Sequence, residues 1–181
     1  MEPVESIAER LSKSARAVRA EDIVAEIERQ LGDQSVESIY RDSILAGRTR
    51  QYELQAPAKN VRVEVLHTLL GIELKVGNRR LLCPDLATAR YLAVFARVGC
   101  DAIAVPYDIT QISRIADELE SSWHRMMLLA DHLTADRSER LRSTVRRRLL
   151  EDLRKKIAGL GAGTKFPKFN QKTRQRPEKM R

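Results

Sequence analysis

Residues 85–99, DLATARYLAVFARVG, predict a helix that is buried on most of its sides. Apolar side chains cover well over half of its circumference, and a helix with this pattern is normally packed against several neighbours. Asp85 is a suitable N-cap, because its carboxylate can accept hydrogen bonds from the free N–H groups of the first turn. Gly99 can adopt the left-handed conformation that ends a helix. We expect the core of the protein to form around this helix, within residues 61–134.

Short apolar runs on both sides of this helix predict strands. Val61–Val65 alternates between apolar and polar residues, and Ile72–Val76 and Arg79–Cys83 flank Gly77-Asn78, which is typical of a two-residue hairpin. Ala102–Val105 is apolar throughout and predicts a buried strand. Because a strand, a helix and a strand follow one another, we expect a right-handed crossover that makes the last two strands parallel neighbours or near-neighbours.

Three amphipathic segments before this core predict helices over residues 4–19, 22–31 and 35–47. The second and third are joined by a short turn that contains Gly32. A helix-turn-helix is therefore one interpretation, and an ordinary helical hairpin is the other. Positive charge near the third helix would come from Arg41, Arg48 and Arg50.

Two long helices are predicted after the core. Asp108 and Gln111 match a capping box, and apolar residues recur at helical spacing through Leu133. A second helix starts at Asp136 or Ser138 and ends before a run of glycines at 159–163.

These elements predict an α/β (or α+β) fold with a small mixed sheet and a βαβ crossover. An N-terminal helical section precedes the sheet, and two long C-terminal helices and a disordered basic tail follow it. Gln51–Asn60, which contains Pro57, is expected to be a linker or an irregular edge. The predicted sections are residues 1–50 (helical), 51–134 (mixed α/β core), 135–160 (basic amphipathic helix) and 161–181 (disordered basic tail).

Composition excludes several classes of protein. The chain has no apolar run of 18 residues and no apolar segment near its N-terminus, so we expect a cytoplasmic protein without a membrane span. Cys83 and Cys100 bracket a helix that is roughly 20 Å long, which is too far for a disulfide. Neither cysteine has a second ligand at metal spacing, and no Gly-rich loop is present, so no metal or cofactor is expected.

Charge is divided unevenly along the chain. Residues 1–134 contain 17 basic and 20 acidic residues, whereas residues 135–181 contain 16 basic and 5 acidic residues. The formal net charge of +8 therefore originates in the C-terminal quarter. This asymmetry is the strongest functional signal of the sequence, and it indicates a nucleic acid or an acidic protein surface as partner.

The leading prediction is a non-enzymatic nucleic-acid-associated protein. The predicted phosphate contacts on the last helix are Arg140, Arg147, Arg154, Lys155 and Lys156. The tail would add phosphate and stacking contacts, because aromatic residues interleaved with cations suit single strands, which favours RNA slightly over duplex DNA. Its predicted contacts are Lys165, Phe166, Lys168, Phe169, Lys172, Arg174 and Arg176.

Two other uses of the tail stay open. It could dock on an acidic protein partner, which would make the chain a protein-interaction or assembly factor. It could also be a solvated basic segment whose phenylalanines, Phe166 and Phe169, pack back on the core.

A third function is suggested by Glu73-Leu74-Lys75, an E-x-K on a predicted strand, with Glu64 on the strand before it. This arrangement resembles the PD-(D/E)xK nuclease superfamily, and the resemblance implies Mg²⁺-dependent phosphodiester cleavage by Glu64, Glu73 and Lys75. The alternative is an exposed, charged sheet face. The hairpin register also places Lys75 opposite Arg80, so Glu64, Glu73 or an external phosphate should lie between the two cations.

Overall fold

The computed structural model describes residues 19–57 and 62–163. The first element is a helix that begins directly at the start of this range, and a 3₁₀ turn at Gly32–Gln34 follows it. The helices and strands, in chain order, are α1 (Ala20–Leu31), α2 (Val36–Ile39, extended by a π turn at Tyr40–Ile44), β1 (Thr49–Glu53), β2 (Val63–Thr68), β3 (Gly71–Val76), β4 (Arg79–Cys83), α3 (Leu86–Val98), β5 (Ala102–Pro106), α4 (Ile109–Leu133) and α5 (Glu139–Leu160).

The central helix α3 has the ends and the burial that the sequence predicts. Asp85 accepts a hydrogen bond from the Thr88 backbone N–H at 2.7 Å, and Gly99 has a φ of 86°, in the left-handed region. Every residue from Tyr91 to Ala96 is buried. α3 contacts α4, β2 and β3, which explains why most of its circumference is buried; Arg90 and Arg97, seven positions apart, are partly exposed.

The strands form two antiparallel sheets within the described residues, one with β1 and β5 and the other with β2, β3 and β4 in that order. The predicted hairpin is confirmed, because Val76 pairs with Arg79 across Gly77 and Asn78. The β2–β3 hairpin that precedes it turns at Leu69 and Leu70, which are both exposed.

The mixed α/β class is confirmed, but the predicted mixed sheet and its parallel crossover are wrong, because every strand pair in the described residues is antiparallel. β5 pairs with β1 in antiparallel register, from Thr49 opposite Pro106 to Glu53 opposite Ala102, and it does not join the sheet of β4. β1 occupies part of the segment that was predicted to be a linker. Its sequence, TRQYE, is mostly polar, so its strand conformation follows from hydrogen bonding to the apolar β5 rather than from a pattern of its own.

The helices predicted over residues 22–31 and 35–47 are confirmed as α1 and α2. Residues 1–18, which include most of the first predicted helix, lie outside the described part. One continuous hydrophobic cluster takes in α1, both sheets, α3, α4 and α5. Residues from the predicted sections 1–50, 51–134 and 135–160 therefore share one core, and the section boundaries stay a prediction. Among the described helices, none is both long enough and apolar enough to cross a membrane.

The last helix α5 begins at the predicted N-cap, where the Ser138 side chain accepts from the Leu141 backbone N–H at 3.3 Å. Its buried side chains contact α1, α2, α3 and α4, so α5 closes one side of the core and its other face points outward. The buried residues of α5 are Val145, Leu149, Leu153 and Ile157.

Candidate nucleic-acid interface

The outward face of α5 carries three of the predicted phosphate contacts, Arg140, Arg147 and Lys155. At 100° per residue these positions lie opposite the buried stripe. Arg140 is exposed, and the side chains of Arg147 and Lys155 are 68% and 74% exposed. Arg147 lies 4.0 Å from Glu151, and Lys155 lies 3.9 Å from Asp152. Exposed pairs of this kind contribute between about 0 and 1 kcal/mol, so a ligand can displace them at little cost.

Other cations on α5 lie at its flanks and are paired with carboxylates of neighbouring helices. Arg146 donates to Asp131 of α4, and Arg148 donates to Glu21 of α1. These two pairs join helices to one another, which gives the cations a structural role.

Lys156 occupies a similar position at the junction of three helices. Its Nζ lies 2.8 Å from Glu28 of α1 and 3.4 Å from Glu37 of α2. Burial by itself would lower the pKa of Lys156, but the two carboxylates more than offset this, and the pKa is raised. Lys156 was predicted to contact phosphate, but in the structure it is already balanced by two acids of its own chain.

Arg154 lies at the inner edge of the basic face, half-buried near the C-terminal end of α3. The neighbouring thiol, Cys100, is 3% exposed. Burial raises the pKa of Cys100 to about 12, while the positive charge of Arg154 acts in the opposite direction. Cys83 is also buried, and both thiols are free, as the length of α3 predicted.

The tail residues that were predicted to bind, from Lys165 to Arg176, lie outside the described residues. The structure does show where the tail begins. The Tyr40 hydroxyl donates to the Gly161 carbonyl at 2.7 Å, and Gly163 lies against Thr49 and Ala104, on the β1–β5 sheet. Residues 161–163, which follow α5, are therefore held at a defined place on the core.

Next to that place is a residue that sequence reasoning missed. Tyr107 follows β5 and is 49% exposed, and the Arg48 guanidinium lies over its ring, with Cζ 5.8 Å from the ring centroid. From the sequence alone, Arg48 is only a positive charge near the third predicted helix. An aromatic residue directly after a buried strand is a weak signal for this position, and pairing with Arg48 depends on the β1–β5 register.

The E-x-K residues lie on the face of the three-stranded sheet opposite the buried Leu74 and Val76, where Glu73 itself is only 8% exposed, and each one has a partner of opposite charge. Lys75 is 3.4 Å from Glu64, directly across the β2–β3 pair, and Glu73 is 3.3 Å from Arg80. Lys75 stands opposite Arg80, as predicted, and the two glutamates balance the two cations. No cluster of three or more His, Cys, Asp or Glu that could hold a metal occurs in the part of the chain that the structure describes.

The two helix N-termini beside the strands are capped by their own aspartates. Asp85 caps α3, and Asp108 accepts from the Thr110 backbone N–H at 3.0 Å to cap α4. Hydrogen bonds from Thr110 and Gln111 hold the pKa of Asp108 below its usual value. A carboxylate therefore occupies the position at which a phosphate would bind.

Neither a protein-family model, nor a curated protein, nor a solved structure matches this chain.

Proposed function

We propose that this protein is a non-enzymatic nucleic-acid-binding protein that contacts RNA through the outward face of α5 and the basic segment that follows it. The observation that supports this most directly is the arrangement of charge on α5. Arg140, Arg147 and Lys155 point away from the core with only weak neighbours on their own helix, while Arg146, Arg148 and Lys156 are paired with other helices.

The spacing of the three outward cations favours a linear polyanion. Arg140 and Lys155 are separated by 15 positions, which corresponds to about 22 Å along a helix. A small anion would contact one of these side chains, whereas a nucleic-acid backbone would contact all three at once. The additive release of counterions from several phosphates then gives useful affinity.

Single-stranded RNA is favoured over duplex DNA because of the composition of residues 164–181. Seven basic residues and one acidic residue accompany Phe166 and Phe169 in this segment. Aromatic rings bind bases by stacking, and only unpaired bases offer their faces.

The two free, buried thiols are consistent with a reducing compartment, and we propose a cytoplasmic protein on that basis.

Two charge-matched variants of the full-length chain test this proposal. The first replaces the outward cations of α5 (Arg140→Gln, Arg147→Gln, Lys155→Gln). The second replaces three exposed arginines elsewhere (Arg29→Gln, Arg41→Gln, Arg114→Gln), each of which is paired with an acid close to it in sequence. Both variants lower the formal net charge from +8 to +5. A difference in nucleic-acid affinity between them therefore reflects where the removed cations lie and not the total charge.

The readout is the affinity for labelled single-stranded RNA and for duplex DNA across a salt series. Loss of three phosphate contacts should lower the slope of log K against log [salt] by about 2 on a single strand, for the α5 variant alone. An equal loss in both variants contradicts a specific role of α5. A loss confined to the second variant would favour the surfaces of α1, α2 and α4, which carry its three substitutions, as the nucleic-acid interface. If the unaltered protein binds neither probe near physiological salt, the proposal fails and an acidic protein becomes the expected partner.

A further inference from the structure

We propose that the cavity between Arg48, Tyr107 and Gly163 is a stacking site for one unpaired nucleobase, placed where the basic tail leaves the core. This inference rests on the proposed function and names the ligand more closely, as a single strand with at least one exposed base. The two side chains that would bind the base are Tyr107 and Arg48.

The two side chains are held in place by the backbone around them. The Tyr107 backbone N–H donates to the Arg48 carbonyl at 3.0 Å, and the next pair, Thr49 and Pro106, opens the β1–β5 ladder. Arg48 therefore directly precedes β1 and Tyr107 directly follows β5, and the Arg48 guanidinium lies within cation–π range of the Tyr107 ring. A stacking surface that is ordered in this way loses little side-chain entropy when a base binds.

The cavity is open to a flat ligand. Its volume is about 480 Å³, which lies within the range of roughly 300–1,000 Å³ that is common for small-molecule sites. Its lining includes two glycines, Gly47 and Gly163. Tyr107 and the neighbouring Ile109, which is 71% exposed, present apolar surface to solvent at this point. An exposed aromatic ring beside a cation is the combination that binds bases without regard to sequence.

The charges around the cavity indicate how a nucleotide would be oriented. The Asp108 carboxylate, next to Tyr107, is held in its charged form by Thr110 and Gln111. It would repel a phosphate from the N-terminus of α4, so the phosphate must lie on the side of Arg48. The base is then left to stack on the Tyr107 ring or on the guanidinium plane.

The position of the tail connects this site to the rest of the proposed interface. Gly163 lines the cavity and is followed after three residues by Phe166. The first aromatic residue of the tail is therefore close in sequence to a residue that lines the cavity. Arg48 and Tyr107 would thereby connect the cations of α5 to the aromatic residues of the tail along one strand of nucleic acid.

The test compares the unaltered full-length protein with three single variants, Tyr107→Ala, Tyr107→Phe and the control Ile109→Ala. The probes are a labelled oligouridine RNA and an abasic strand with the same number of phosphates. Stacking on one ring should be lost in Tyr107→Ala, with about a tenfold weaker affinity for oligouridine, an unchanged salt slope and an unchanged affinity for the abasic strand. Tyr107→Phe keeps the ring and should restore binding, and Ile109→Ala should behave as the unaltered protein does.

Each result supports or overturns the inference. If Tyr107→Ala binds oligouridine as tightly as the unaltered protein does, the stacking site is refuted while the proposed function stands. If Tyr107→Ala loses affinity equally for oligouridine and for the abasic strand, stacking is refuted as well, because the abasic strand has no base that could stack on the ring. If the unaltered protein binds neither probe, both the proposed function and this inference fail. Circular dichroism and thermal melting of the three variants verify that they are folded.

Discussion

A single hydroxyl shows how individual residues hold the start of the tail. The Tyr40 hydroxyl donates to the Gly161 carbonyl and accepts from the Ala104 backbone N–H at 2.8 Å. Tyr91 donates to the Ala104 carbonyl at 2.6 Å, so both backbone groups of this β5 residue are satisfied by tyrosines. Phe95 lies between the two rings, with centroids at 5.5 and 5.2 Å. The cluster joins α2, α3, β5 and the end of α5 around one strand.

Replacing Tyr40 with phenylalanine should destabilise the protein by about 1–3 kcal/mol, because the buried Ala104 N–H loses its partner. The ring remains, so its packing on Phe95 is kept. Chemical denaturation followed by circular dichroism measures the difference in the free energy of unfolding. A change below about 0.5 kcal/mol, the lower end for one hydrogen bond, would contradict the role of this hydroxyl.

At the scale of elements, α5 packs against the core with one face and presents cations to solvent with the other. Its buried stripe and its flanking cations bind it to α1, α2 and α4, and its outward cations are left for a ligand.

The glycines at the end of α5 also differ from each other. Gly159 is helical and has open space around its Cα, whereas Gly163 has a φ of +78° and a Cβ there would lie 2.6 Å from Thr49 Oγ1. Only the second glycine is required by the packing of the chain.

A matched pair of substitutions tests this difference. Gly163→Ala should destabilise the protein or displace the start of the tail, because the left-handed backbone and the contact with Thr49 both disfavour a side chain. Gly159→Ala should instead stabilise α5 by about 0.5–1 kcal/mol, the usual gain for glycine to alanine inside a helix. Thermal melting of both variants gives the comparison, and equal shifts of the same sign would show that Gly163 is not constrained.

The ion pairs of Lys156 should contribute stability with a defined pH dependence. The folded pKa is raised above its ordinary value of 10.5, so the contribution is fully present below pH 10.5 and is lost as the pH rises through the raised value. Because the group is partly exposed, Lys156→Met should cost no more than about 1 kcal/mol near neutral pH. Urea unfolding of the unaltered protein and of Lys156→Met measures the difference in their free energies of unfolding. This difference should be smaller above pH 11 than at pH 7.

The same variant separates a structural cation from a binding cation. Lys156→Met should leave the affinity for single-stranded RNA unchanged, because its ammonium group is already balanced by Glu28 and Glu37. A reduced salt slope in this variant would return Lys156 to the set of phosphate contacts.

At the scale of the whole molecule, positive charge is concentrated after residue 134, and of this part of the chain α5 and residues 161–163 contact the core. Gly163, three residues after the end of α5, lines the cavity at Tyr107. The acidic residues of α1 and α4, by contrast, pair with the flanks of α5. The folded protein thus balances part of the basicity internally and leaves the outward face of α5 positive.

Ending the chain after Gly163 should reduce RNA binding while it keeps the contacts of Tyr40 and Thr49. The change removes seven basic residues and one acidic residue, and it takes the formal net charge from +8 to +2. If every cation of this segment contacts a phosphate, the salt slope on single-stranded RNA should fall by up to about 5. A truncated protein that binds RNA with an unchanged slope would exclude the tail from the interface.

Much of the fold could be predicted from local patterns. The boundaries of α3 followed from Asp85 and Gly99, the β3–β4 hairpin from Gly77-Asn78, and the two long helices from apolar periodicity. The candidate site was predictable only in part, because helical spacing placed Arg140, Arg147 and Lys155 on one face but could not show that Lys156 meets Glu28 and Glu37. Tyr107 was missed, since its partner is distant in sequence.

The sequence by itself determined the types of the other elements but not of β1, and it determined the caps, the free state of the two cysteines and the concentration of basic residues after residue 134. These properties depend on neighbours within a few positions or on composition alone. Only the tertiary structure decided that β5 pairs with β1 in antiparallel register. It also decided which cations of α5 are balanced internally and that the tail begins beside Arg48 and Tyr107. Each of these depends on contacts between segments far apart in the chain, where the energy of pairing and packing is set by the whole core and not by local propensity.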